Sequence, residues 1–156
     1  MTSPARPALD GPPTGMGAQD RELLATAQSL LDSRYARGVH EVAAALRLED
    51  GRVVTGLHVE AGAGRASVCA ESAALSAAII AGSPVVSVVG VLRRPEGSRH
   101  LIEPCGVCAE LLGDHAPGAT VWVAVGDGFG PVAVSELLPY RRHRTARPHV
   151  LTAHTS

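Results

Sequence analysis

Between Pro84 and Leu92 the chain carries valine at five of nine positions and no charged residue. That density of β-branched side chains reads as a strand buried on both faces, which requires a helical layer above and below it. The segment just before it supplies one layer. Ala70 to Ala81 is dense in Ala, Leu and Ile and stops at Gly82, the pattern of a buried helix with a glycine cap. Thr120 to Val125 is a second buried strand, and Pro104 to Leu112 between the two reads as a short helix ending at Gly113. Upstream, Leu23, Leu24, Ala27, Leu30 and Leu31 repeat at helical spacing behind Asp20, an N-cap residue, as far as Tyr35. Val42 to Leu48 is a short apolar run, Glu49-Asp50-Gly51 a hairpin turn, and Arg52 to Val59 a returning strand. Arg93 to His100 is polar and reads as a loop, Gly126 to Gly130 as a turn, and Ser135 to Leu138 as at most one helical turn. The order predicts an α/β domain of three layers, α-β-α, around one mixed sheet of about five strands.

A length of 156 residues suits one domain with a single core. Residues 1–18, rich in Pro, Gly, Thr and Ser, are expected to be a disordered leader, residues 19–140 the domain, and residues 141–156 a basic tail. A formal net charge of −1 and only four aromatics remove the usual basis for nucleic-acid binding. No apolar run approaches the ~18 residues of a membrane span, and the opening Met1 to Pro7 has no apolar signal core. Three cysteines are too few and too odd in number for a disulfide framework, which points to a reducing, cytoplasmic compartment.

Those cysteines carry the chemistry. Cys69 stands where a loop enters the first buried helix, and Cys105 and Cys108 stand where a loop enters the next. Free amides and the helix dipole stabilise thiolates at such positions. Cys105 and Cys108, three apart, share one face of a helical turn. Two helix starts meeting at the ends of adjacent strands would bring three sulfurs together and leave one corner of a tetrahedral zinc open, as catalysis requires. Glu71, two residues past the first thiolate, is placed to handle protons without ligating the metal. Two plainer readings stand beside this one. Each cysteine could be a small buried hydrophobe and Glu71 a carboxylate favoured by the helix dipole. A structural Cys₃His knob would use His58 or His40 as its fourth ligand.

The pairing of Cys69-x-Glu71 with Pro104-Cys105-x-x-Cys108 matches the signature of the zinc-dependent deaminases. The chain resembles the cytidine deaminase family in its small homotetrameric form, from about Arg21 to Pro139. Val42-Ala-Ala-Ala-Leu46 resembles a family strand, Thr55-Gly-Leu-His-Val-Glu60 its Thr-Gly-x-Asn-x-Glu segment, and Glu136-Leu-Leu-Pro139 its closing motif. The resemblance implies Zn²⁺ held by Cys69, Cys105 and Cys108, and hydrolytic deamination with Glu71 as acid and base. It also implies a nucleoside-like substrate touched by His58, Glu60, His40, Ala70 and Arg142, in a homotetramer with a homodimer as the alternative.

The departures cluster around the substrate. His58 stands for the ribose-binding Asn of the family, while Glu60 is kept. His40 and Arg142 stand where an aromatic ring is usual, and Ser72 and Ala109 stand where arginines often offset the thiolates. Arg65, in a glycine-rich loop just before Cys69, is the candidate substitute for those arginines. Three functions follow: deamination of cytidine, deoxycytidine or a close relative; the same chemistry on an atypical aminated heterocycle of the blasticidin S kind; or a non-catalytic zinc-fold assembly protein.

Overall fold

The structure, a computed structural model, describes residues 6–141. The chain runs α1 (Ala18–Arg34), β1 (Val42–Leu48), β2 (Val53–Leu57), α2 (Ala70–Ala81), β3 (Val85–Arg93), β4 (Arg99–Leu101), α3 (Gly106–His115), β5 (Thr120–Val125), β6 (Gly128–Ala133) and the single turn α4 (Val134–Leu137). One mixed sheet has the order β2-β1-β3-β5-β6, with β4 added against β3, so it holds six strands rather than about five.

Alternation across the pleat divides the core in two. Ala44, Leu46, Leu48, Val88, Val121 and Val123 face α2 and α3. Ala43, Ala45, Val89, Val91 and Trp122 face Leu23, Leu24, Ala27 and Leu31 of α1. The three layers expected from the element order are therefore present. α2 stops at Gly82, whose left-handed backbone (φ 74°) lets its amide reach the carbonyls of Ala78 and Ile79.

β3 does not keep one neighbour along its outer edge. It pairs in parallel with β5 from Ser87 to Val89, then antiparallel with β4 from Val91 to Arg93. The handover falls at Gly90, whose carbonyl accepts the amide of Ile102 at 3.0 Å as the chain leaves β4. Two residues later comes Pro104, and Cys105 then caps α3. The switch of partners thus delivers the Cys105 loop to the middle of the sheet.

On the α2 face, Gly56 of β2, Ala44 of β1 and Gly90 of β3 lie in register across three strands. This row of minimal side chains forms a shallow trough. At Gly56 a Cβ would overlap the carbonyl oxygen of Ala70 and the amide nitrogen of Ala74, so the helix backbone rests directly on the strand.

Three expectations change. The part of the leader within the described residues, 6–17, is packed rather than disordered. Met16 is 2% exposed in the α1 core, the Leu9 amide donates to the Arg99 carbonyl at 2.7 Å, and Arg6 pairs with Glu103. Burying a methionine contributes about 2 kcal/mol, and the Leu9 and Arg6 contacts add to it along a segment with no periodicity of its own. Asp20 is not the N-cap of α1, which begins at Ala18 after Gly17. Its carboxylate instead accepts from Trp122 Nε1 at 2.9 Å and from Arg47 at 3.2 Å, tying α1 to the sheet. The stretch read as a loop from Arg93 to His100 is a loop only over 94–98, because Arg99–Leu101 folds back onto β3 as a strand. Arg142 and the tail after it lie outside the described residues.

Candidate metal centre and active site

Cys69 is the N-cap of α2, Cys105 the N-cap of α3, and Cys108 lies in the first turn of α3. The ligand atoms of the three residues all lie within 4.8 Å of one another, and the Cys69 and Cys105 sulfurs are 3.6 Å apart. A tetrahedral zinc with bonds of ~2.3 Å would set its sulfurs roughly 3.8 Å apart, so the spacing fits. Three soft donors also suit zinc better than a hard cation. Neither His58 nor His40 joins the cluster, so the described residues do not form the Cys₃His knob.

The three thiols are not alike. Burial pushes Cys69 up, and its contact with Cys105 adds to that. Burial also acts on Cys105, but the amides of Cys108 and Val107 and the Cys69 thiol outweigh it and hold Cys105 below its usual value. Cys108, 1% exposed, is pushed far up by burial, against the hydroxyl of Ser72, which lies 3.2 Å from its sulfur. Helix-terminal stabilisation of thiolates therefore prevails at Cys105 alone. Binding a dication supplies the opposite charge that the other two need.

Glu71 follows directly in the first turn of α2 and is 5% exposed. Its Oε2 is 3.7 Å from the Cys108 sulfur, beside the cluster but outside it. A Cβ at Gly90 would stand 3.2 Å from its Oε1, so the carboxylate lies over the bare end of the trough. Burial raises the pKa of Glu71, with its own backbone amide, the Cys108 thiol and the nearby His58 working the other way.

His58 and Glu60 follow β2 toward the same side. His58 Nε2 is 3.0 Å from Glu60 Oε2, while its buried Nδ1 has no partner among the described residues. His40 is joined to them, its Nδ1 lying 2.8 Å from the His58 carbonyl. Ser67, which the sequence did not single out, donates to Glu60 Oε1 at 3.0 Å and accepts the Ala61 amide at 3.0 Å. Nothing in its sequence neighbourhood marks that role, which exists only because Val59 and Val68 pair across the loop.

Other expected residues fall elsewhere. The Ala70 side chain is in the core and its carbonyl lies against Gly56. Arg65 sits exposed in the one-turn 3-10 helix Gly64–Ala66 and makes no hydrogen bond or ion pair with another described residue. It does not reach the thiols. Arg141, the last described residue, pairs with Glu110 and Asp114 of α3, not with the site.

Comparison with known proteins follows the same lines. Residues 18–124 match the cytidine and deoxycytidylate deaminase zinc-binding region. The chain is 31% identical over 131 residues to a blasticidin-S deaminase of Bacillus cereus, covering 81% of this chain and 94% of that one. It is 33% identical over 105 residues to a cytidine deaminase of Halalkalibacterium halodurans, covering 64% of this chain and 74% of the relative. The fold superposes on the crystal structure of cytidine deaminase from Mycobacterium leprae with a TM-score of 0.63 and 27% identity, over 80% of this chain and 99% of that one. The chain therefore belongs to the cytidine and deoxycytidylate deaminase family, zinc-dependent hydrolases of C–N bonds, and its cofactor is Zn²⁺.

Proposed function

We propose that the chain hydrolytically deaminates the aminopyrimidine ring of a nucleoside-like molecule, releasing ammonia, with cytidine or deoxycytidine as the first substrates to consider. The observation that carries this reading is the Glu71 carboxylate, buried beside three converging sulfurs yet not one of the cluster. Zinc, when held by Cys69, Cys105 and Cys108, supplies the Lewis acidity that makes water nucleophilic near neutral pH. Glu71 accepts the proton that the attacking water gives up and delivers it to the ring nitrogen. It then takes the remaining proton of the added hydroxyl as the ring carbonyl forms and passes it to the departing amine, which leaves as ammonia. A carboxylate whose proton affinity burial has raised is suited to both halves of that exchange. Gly90 leaves room for the carboxylate to turn between the two positions.

His58, Glu60 and His40 form the wall that holds the rest of the substrate. Ser67 and His58 fix the two Glu60 oxygens, leaving the unpartnered His58 Nδ1 to meet a polar group of the ligand. A second reading, turnover of a blasticidin S-type nucleoside, is supported by the relative of that name matching over 94% of its length. In this view the His58–Glu60 pair binds something other than an ordinary ribose. The catalytic unit is residues 19–140, with 141–156 a basic tail, and the protein works in the cytoplasm, where its thiols stay reduced.

Incubating the zinc-loaded protein with cytidine, deoxycytidine and blasticidin S, and measuring ammonia, tests the assignment. Release from the first two supports the first reading, and release from blasticidin S alone supports the second. No release from any of them would favour a non-catalytic assembly protein instead. Assembly into a homotetramer is part of the proposal. Ile80 is 85% exposed, with Ile79 beside it on α2 and Val107 exposed on α3 near the site. Sedimentation should return a mass near four chains, or two if a dimer forms. A single-chain mass would refute the assembly.

A further inference from the structure

A sulfur that ligates a metal carries no proton and can only accept hydrogen bonds. For Cys108 this has a specific consequence. With its own proton gone, it faces the Glu71 carboxylate at 3.7 Å, one anionic group beside another in a buried place. Cys105 has the amides of Val107 and Cys108 to share its charge. Among the described residues, the one hydroxyl at Cys108 is that of Ser72, 3.2 Å away. There is no lysine anywhere in the chain, and no arginine hydrogen-bonds a cysteine among the described residues. Ser72 lies in the first turn of α2, where a serine hydroxyl often turns back to its own helix. Here it crosses to α3 instead, so one bond joins the two helices that bring the ligands together.

We propose that Ser72 is a positioning residue of the metal centre, its hydroxyl donating to Cys108 Sγ to offset the charge of that thiolate and hold its sulfur in line with the other two. Outer hydrogen bonds of this kind typically change metal affinity about 10- to 100-fold. The inference rests on the three-cysteine zinc site but not on any choice of substrate.

The test is Ser72→Ala, a change that favours the helix and removes only one oxygen. Zinc affinity of the wild type and the variant is measured by competition with a chromophoric chelator at fixed pH, and both are then loaded with Co²⁺. The expected result is one metal per chain in each, zinc affinity about 10- to 100-fold weaker in the variant, and a sulfur-to-cobalt absorption band displaced to lower energy. The metal-free variant should melt no lower than the metal-free wild type, which separates this role from a structural one. Ser72→Thr, which restores the hydroxyl, should recover most of the affinity. Equal zinc affinity and an unmoved cobalt band in Ser72→Ala would overturn the proposal while leaving the zinc site standing. A wild type that takes up no zinc would instead remove the site itself.

Discussion

Glu71→Gln is expected to lower turnover about 10²- to 10⁴-fold while the protein still binds one zinc per chain. The amide keeps the shape of the carboxylate, so its contact over Gly90 is retained and the helix has no reason to move. What it loses is the ability to take a proton and return it. Because Glu71 lies beside the sulfur cluster without belonging to it, metal content and rate should separate cleanly. The variant also removes a buried carboxylate next to Cys108, so its metal-free form should be at least as stable as the wild type. Steady-state ammonia release and metal analysis on one preparation give both quantities. A near-normal rate with zinc in place would mean that another group moves the proton, and loss of zinc would make Glu71 a ligand.

The second large effect belongs to a residue with no chemistry. Gly56→Ala adds one carbon where the α2 backbone rests on β2, and it meets main-chain atoms of Ala70 and Ala74, which no rotamer change can clear. Overpacking typically costs about 1–3 kcal/mol, and a backbone clash belongs at or above the upper end. Relief requires α2 to lift from the sheet, carrying Cys69 away from Cys105 and Cys108. Denaturant unfolding should therefore show a loss of about 3 kcal/mol or more, accompanied by weakened zinc binding. Gly62→Ala, where an added carbon meets nothing, serves as the control and should change stability by less than about 0.5 kcal/mol. Wild-type stability and metal content in Gly56→Ala would contradict the close helix-on-strand packing.

The layers were legible because their signals are dense and local. Valine-rich β3 and β5 and the Ala-Leu-Ile run of α2 leave few alternatives, and these three begin and end within one residue of the reading. α3 instead runs through Gly113 to His115, and β6 takes in Gly128 to Gly130, read as a turn. The segment 6–17 was not legible. Its anchors are one methionine and a few backbone and ion-pair contacts, and none of these has a period. β4 hid for a related reason, since three residues containing Arg99 and His100 form a strand only because the edge of β3 is vacant there. At the site, the three cysteines were legible because their spacing follows from two helix starts. Ser67 and Ser72 were not recognisable as partners of Glu60 and Cys108, because a serine takes its meaning from what stands opposite, and Cys108 stands 36 residues from Ser72. Asp20 shows the converse, a good capping residue drawn off by a tryptophan and an arginine from distant strands.

The floor beneath Glu71 has a bearing on how such an enzyme changes its diet. Gly56, Ala44 and Gly90 offer no side chain that selection could enlarge without dislodging α2 or the carboxylate. On the proposed reading, new substrates would therefore be accommodated from the rim, by residues such as His40 and His58, while the centre around Glu71 stays as it is. A chain built this way can exchange one aminated ring's carrier for another and keep a single reaction throughout.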